Sequence, residues 1–174
     1  GHGGRGGGTY QGGNGGIFYG SPYAPVDSGS AGAVYPNRAL CGAPGGGVVR
    51  IEASGTVTID GTIAANGANV YNDLAGGSAG GSVFITADTF GGAASGTISA
   101  RGSLNVNPTY MAQEGAGAGG RIAVYYDNLL PAHAVRFSAA QGPGSWPDAA
   151  DQDNRRWFSP EMGTLALSDT RLLP

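Results

Sequence analysis

Short runs in which apolar and polar residues alternate recur along the chain, and each run begins directly after glycine. After Gly46 and Gly47 the run is Val-Val-Arg-Ile, and related runs follow at residues 82–85, 121–124 and 164–167. Because successive side chains of a strand point to opposite faces, this period of two predicts β-strands with one apolar face. Four related runs in one chain predict a repeat protein, in which each unit covers the apolar face of the next.

A second strand is predicted in each of the first three units. Residues 61–67 read Gly-Thr-Ile-Ala-Ala-Asn-Gly and residues 96–102 read Gly-Thr-Ile-Ser-Ala-Arg-Gly, with a looser copy at 135–142. The first unit has an additional predicted strand at 56–60. Ser54, Asp88 and Asp127 follow the first strands and predict turns. No run has the spacing and caps of a helix, so the strands are expected to pair in parallel between units.

These patterns predict an all-β fold: a short right-handed parallel β-helix, or solenoid, of about four coils with long glycine-rich loops on one edge. The repeats cover about 45–79, 80–118, 119–162 and 163–174. Extra residues at about 68–79, 103–118 and 143–162 are expected to form the loops. Residues 1–44 are predicted to be an irregular segment rich in Gly, Pro and Tyr that packs on or caps the solenoid.

The glycine pair, the Val-x-Ile-x-Ala run, the Gly-Thr-Ile-x-Ala-x-Gly strand and the glycine-rich loop together resemble the glycine-rich β-helix repeats of large exported bacterial surface proteins. The resemblance covers about residues 45–174. It implies an extracellular or cell-surface location and an adhesin-like, structural role. Such β-helices also include stalk segments and polysaccharide-acting enzymes, so the resemblance favours an architecture more than an activity.

Composition narrows the range of partners. The chain has 174 residues, 35 of them glycine, with 12% charged residues, no lysine and a net charge of −3. The longest basic cluster is Arg155-Arg156, so no binding to nucleic acid or to an anionic membrane is predicted. No apolar run reaches the roughly 18 residues of a membrane span. The first residue is not methionine, and we expect a processed protein or an excerpt of a longer one.

Aromatic residues in the predicted loops suggest a carbohydrate site. Rings that combine apolar area with a polar tip suit the faces and hydroxyl rims of sugars. The alternative is that these rings fold down over the core beneath long loops. The candidate residues for glycan stacking are Tyr71, Tyr110, Trp146 and Trp157.

One acidic cluster, in the third predicted loop, suggests calcium binding. Alternating carboxylate and amide oxygens can wrap a calcium ion, although the glycine and terminal glutamate of an EF-hand loop are missing. Simple surface pairing with Arg155 and Arg156 is the alternative. The candidate ligands are Asp148, Asp151, Asp153 and Asn154.

No catalytic set is predicted, and the chain is expected not to be an enzyme. The two histidines, His2 and His133, lie far apart with no Ser or Asp pattern that pairs with them. Arg50 and Glu52 share one strand, but the next units replace them with other residue types, so no carboxylate ladder forms. Apart from calcium, no cofactor is predicted. Cys41 has no partner for an internal disulfide.

The favoured function is therefore an extracellular structural or adhesive module. Open strand edges at the ends of the repeat array are expected to pair with another copy, forming a filament, or with adjacent domains of a longer chain. The alternative is a carbohydrate-binding or polysaccharide-acting module that uses the loop aromatics. The two readings differ in their expected partner, which is a second copy of the chain in the first and a polysaccharide in the second.

Overall fold

Two parallel β-sheets organise the chain in a computed structural model, which describes residues 1–7, 15–33, 42–69, 76–103, 115–143 and 160–173. The strands, in chain order, are β1 (Val48–Glu52), β2 (Thr56–Thr58), β3 (Thr62–Ala64), β4 (Ser82–Gly92), β5 (Thr97–Ser99), β6 (Arg121–His133), β7 (Arg136–Ser138) and β8 (Thr164–Leu167). The first sheet has the order β1-β4-β6-β8, with β2 also paired to β4, and the second has the order β3-β5-β7. A 3-10 helix, Thr170–Leu172, follows β8.

The strand registers follow the overlay of the sequence repeats. In the first sheet Val49 pairs with Val83, Val83 with Ile122, and Ile122 with Leu165. In the second sheet the Thr-Ile strands pair residue by residue, and Ile98 lies between its neighbours on β3 and β7. The predicted parallel pairing of equivalent strands and the additional strand of the first unit, β2, are confirmed.

The predicted β-helix of about four coils is wrong. Strands account for only 36% of the described residues, and they form two small separate sheets rather than a continuous solenoid. The physical reason lies in the glycine-rich stretches, whose few buried side chains, such as those of Ala79 and Ala118, are too small to extend the apolar ladders of the strands. The turns predicted at Asp88 and Asp127 are also wrong, because β4 and β6 continue through both residues.

Inward-facing side chains of the two sheets form the hydrophobic core. The central strands supply its fully buried members, and the outer strands β1, β3, β7 and β8 contribute side chains that are only partly buried. Burying one such aliphatic side chain stabilises the fold by about 1.5–3 kcal/mol. Phe90 stacks on Tyr126 with ring centroids 5.9 Å apart. The fully buried core side chains are Val83, Ile85, Phe90, Ile98, Ile122 and Val124.

A second packing region, here called the glycine layer, comprises residues 1–7, 29–33, 42–46, 76–81, 115–120 and 160–163. No strand is assigned there, yet its segments bond backbone to backbone, as in Gly46 N to Ala79 O (2.9 Å) and Gly80 N to Ala118 O (3.0 Å). The carbonyl oxygen of Ser78 also accepts a hydrogen bond from Ser103 N at 2.9 Å, so the segment 76–81 bonds to neighbouring segments in several directions. The segments lie so close that a Cβ at position 117 would overlap the carbonyl oxygen of Ser78.

Candidate functional site

The site residues suggested by the sequence all lie outside the described residues. This holds for the four proposed glycan-stacking residues, Tyr71, Tyr110, Trp146 and Trp157, and for the four proposed calcium ligands, Asp148, Asp151, Asp153 and Asn154. Both proposals therefore remain predictions. Within the described ranges, no group of three or more His, Cys, Asp or Glu side chains could hold a metal ion.

A buried polar cluster joins the N-terminal segment to the first sheet. His2 is fully buried, and its Nε2 lies 3.0 Å from Ser82 Oγ on β4. The Ser82 hydroxyl donates its proton to the carbonyl oxygen of Asp27 at 2.5 Å. His2 Nε2 must therefore carry a proton and donate to Ser82, which leaves Nδ1 as a buried acceptor without a hydrogen-bond partner among the described residues.

Arg121 forms the other half of this cluster. Its side chain is 3% exposed and donates to the carbonyl oxygens of Tyr19 (2.8 Å) and His2 (3.2 Å). A further bond runs from Arg121 Nη1 to Thr164 Oγ1 at 3.1 Å. One guanidinium group on β6 thus ties both the N-terminal segment and β8 to the middle of the first sheet.

The cluster is built for structure rather than catalysis. Burial, followed by the positive charge of Arg121, lowers the pKa of His2 to about 4 against an opposing effect of Asp27. His2 is therefore neutral at pH 7, but it cannot act as a base toward Ser82, because that hydroxyl donates to a carbonyl group instead. The sequence offered no signal for this pair, since its two members lie 80 positions apart.

A shallow groove of about 490 Å³, here called the strand-end groove, lies on the first sheet. Its polar lining includes Ser54, Asp88, Asp127 and Ser168, with the ring of Tyr125 beside them. Asp88 and Asp127 are exposed and follow residues that pair in register, so they lie on neighbouring strands. Strand spacing places their backbones about 5 Å apart.

The ring of Tyr125 packs against a second aromatic ring. It meets Phe84 edge to face with centroids 6.1 Å apart, and the guanidinium of Arg50 lies 5.1 Å from the centre of the Phe84 ring. Burial, with a smaller contribution from the nearby Tyr23, raises the pKa of Tyr125. The groove therefore presents a fixed phenol beside two carboxylates, which can accept hydrogen bonds from a polyhydroxylated ligand.

The sheet edges are the third feature with functional potential. β1 and β8 end the first sheet, and β3 and β7 end the second. Leu165 on β8 is 39% exposed, whereas its partner Ile122 on β6 is fully buried. In the part of the chain that the structure describes, the inward apolar side chains at both ends of the first sheet are thus less covered than those of its central strands.

Comparisons with protein-family models, curated proteins and solved structures found no match for this chain. The resemblance to adhesin-like repeats therefore stays a prediction, as do the extracellular location and the expected lack of enzymatic activity. No helix in the described part of the chain has the length and apolar character needed to cross a membrane. The groove and the sheet edges are the features of the described residues from which a function can be inferred.

Proposed function

We propose that this chain is an extracellular structural or adhesive module whose copies associate head to tail through the edges of the first sheet. The observation that supports the proposal is the uncovered apolar row at both ends of that sheet. Val49 and Ile51 are only partly buried on β1, as is Leu167 on β8, while the equivalent residues of β4 are fully buried. Covering these side chains is the driving force for association.

The backbone groups at the two edges complement each other. On β8, the backbone N–H groups of Thr164 and Ser168 donate to carbonyl oxygens of β6 and the residue before it. Because residues of a strand alternate in direction, the N–H and C=O groups of Leu165 and Leu167 point away from β6. On β1, Ala53 N donates to Thr86 O, so by the same alternation the groups of Val48, Arg50 and Glu52 point away from β4. Pairing β8 with β1 of a second copy continues the register of β6 with β8.

Side chains at this junction are compatible. The register places Ala166 opposite Arg50, and Ser168 opposite Glu52, so no like charges face each other. Neither edge strand contains proline or lysine, and the two charged side chains of β1, Arg50 and Glu52, neutralise each other in an ion pair of 2.8 Å. The contact joins two different surfaces and does not close on itself, so it propagates into a filament.

Assembly state across a concentration series tests the proposal. Light scattering and electron microscopy of the same samples are expected to show oligomers that lengthen with concentration. Leu165→Lys places a charge in the uncovered row and is expected to give monomers, while Leu165→Val, the matched control, still assembles. A native protein that stays monomeric at every concentration would refute head-to-tail association.

A second candidate function, glycan binding, is supported by the strand-end groove. An aromatic ring beside carboxylates and hydroxyl groups is the arrangement that suits a sugar ring. Asp127→Asn and Tyr125→Ala are expected to reduce retention on the glycan identified by an array screen by at least tenfold. Glu52→Gln, an exposed change outside the groove lining, is the control and is expected to retain binding. Equal retention by all three variants would exclude the groove.

A further inference from the structure

We propose that Asn66 is a site of spontaneous deamidation, which the folded protein protects and which local opening of the chain exposes. Asn66 follows the strand β3 and stands directly before Gly67. Glycine has no side chain that would obstruct ring closure by its backbone nitrogen, so an Asn-Gly pair is prone to the reaction. This modification is independent of the proposed association of copies, which uses the edges of the first sheet.

The reaction needs only the chain itself and water. The deprotonated backbone nitrogen of Gly67 attacks Cγ of the Asn66 carboxamide, the bond from Cγ to the side-chain nitrogen breaks, and ammonia leaves. Water then adds to either carbonyl carbon of the resulting succinimide ring and breaks the bond from that carbon to the ring nitrogen. One product is aspartate. The other is isoaspartate, whose main chain runs through the former side chain and is longer by a CH₂ group.

In the folded protein both reacting groups are bonded to the same neighbour. The side chain of Asn66 accepts a hydrogen bond from Arg101 N through Oδ1 at 2.8 Å. The backbone nitrogen of Gly67 donates to Arg101 O, also at 2.8 Å. The carboxamide and the Gly67 N–H group are therefore both directed toward residue 101 of the next unit. Ring closure requires both bonds to break, so the reaction follows the population of the locally opened chain.

The backbone on both sides of the carboxamide is also fixed by packing. Gly67 is buried, and a Cβ at this position would lie only 2.5 Å from Ser78 O. On the other side, Ala65 N donates to Ser99 O at 2.8 Å. Asn66 itself is exposed, so water reaches its carboxamide. The protection therefore comes from the fixed geometry of the pair rather than from exclusion of water.

The two products have different consequences for the fold. Aspartate keeps an oxygen in the place of Oδ1 and still accepts a hydrogen bond from Arg101 N. Isoaspartate lengthens the main chain between Ala65 and Gly67, whose backbones are both held by hydrogen bonds and where Gly67 lies close to Ser78 O. Opening of this segment thus leaves a permanent covalent mark, and a molecule that carries isoaspartate does not close again.

Incubation of the full chain at neutral pH, with and without denaturing urea, tests the proposal. Mass spectrometry with fragmentation follows residue 66 and separates it from the other Asn-Gly pair, at residues 14–15. A peptide with blocked ends and the sequence of residues 63–68, Ile-Ala-Ala-Asn-Gly-Ala, gives the rate of the unprotected pair. We expect the native chain to react at least about tenfold more slowly than the peptide, and the chain in urea to react at the rate of the peptide.

Refolding after the incubation in urea separates the products. The folded fraction is expected to contain asparagine or aspartate at position 66, and the unfolded fraction to contain the isoaspartate. Asn66→Asp, the matched control, is expected to keep the denaturation midpoint of the native chain, while Asn66→Ala, which removes the acceptor for Arg101 N, lowers it. Equal rates in the native chain and the peptide, no reaction at residue 66 in urea, or isoaspartate in the folded fraction would each overturn the proposal.

Discussion

The two sheets and the glycine layer are held together by opposite means. In the sheets, side chains such as Ile98 and Phe90 fill the interior, and burial of apolar area dominates the free energy. In the glycine layer the backbones themselves are in contact, and hydrogen bonds such as Gly77 N to Gly115 O (2.7 Å) replace side-chain packing. The sheets should therefore tolerate changes in side-chain shape at their edges, whereas the glycine layer should tolerate no added atom where its segments touch.

The largest expected effect comes from adding a methyl group to the glycine layer. In Gly117→Ala the new Cβ would overlap Ser78 O and press on Ser103 N, and neither backbone atom can rotate away. We expect a loss of about 4 kcal/mol in the free energy of unfolding, from overpacking and a weakened buried hydrogen bond. Urea denaturation measures it.

Gly47→Ala is the matched control for this change. Position 47 has no atom within 4 Å of an added Cβ, although it lies next to β1. We expect a change within about 0.5 kcal/mol. Equal losses at positions 47 and 117 would show that backbone freedom, rather than close contact, explains the use of glycine here.

Truncation of the apolar core should have the next largest effect. Ile98→Ala removes a fully buried side chain between two neighbours and is expected to cost about 3 kcal/mol. Ile63→Ala, in the equivalent position on the edge strand β3, should cost less than half of that, because Ile63 is only partly buried. Denaturation midpoints of the two variants compare the centre of the sheet with its edge. Equal losses in the free energy of unfolding would contradict the conclusion that apolar side chains of the edge strands are less buried than those of the central strand.

The sheets were more predictable from the sequence than the glycine layer, for a physical reason. Alternation of apolar and polar residues identified β1, β4, β6 and β8 and their registers, because the period of two reports directly which side chains share a face. Glycine residues show no such period, and the sequence predicts corners and loops where they cluster. That interpretation produced the incorrect solenoid, since segments such as 115–120 bond to neighbours on several sides instead of forming loops.

The candidate sites were less predictable still. The groove residue Asp127 and the sheet edges lie in segments that the sequence patterns identified. The groove itself was missed, because the patterns predict turns at Asp88 and Asp127, where β4 and β6 continue. The buried pair of His2 and Ser82 depends on how the N-terminal segment crosses β4, which no local pattern encodes. The proposed aromatic and calcium-binding residues lie outside the described residues.

Acid should weaken the contact between the N-terminal segment and the first sheet. Because the folded protein holds the pKa of His2 at about 4, below the ordinary value of 6.5, the unfolded chain binds more protons between these values. Stability is therefore lost as the pH falls through this window, by about 2 kcal/mol between pH 7 and pH 5. Urea denaturation at a series of pH values measures the slope.

Two variants test whether His2 causes this dependence of the free energy of unfolding on pH. His2→Gln is expected to remove it, whereas His133→Gln, whose native side chain contacts only the nearby Leu130 carbonyl among the bonds described, is expected to keep it. A slope that survives in His2→Gln would mean that other groups cause it. The measurement also compares the glycine layer with the first sheet, because His2 lies where the glycine layer meets the strand β4.

The smallest expected effect concerns the end of the first sheet. The Tyr126 hydroxyl donates to Asp169 Oδ1 at 3.0 Å, and Asp169 also accepts from Arg171. Burial, followed by the bond to Asp169 and its negative charge, raises the pKa of Tyr126 to about 12. Asp169→Asn should therefore lower the pKa of Tyr126 only part of the way to 10, because the burial remains.

Ultraviolet titration of the phenols measures this shift, with Glu52→Gln as an exposed control that should leave it unchanged. The bonds from Arg171 lower the pKa of Asp169 to about 2, so its contribution to stability is present above pH 3.8 and is lost as the pH falls toward 2. An unchanged Tyr126 titration in Asp169→Asn would mean that burial alone sets that pKa.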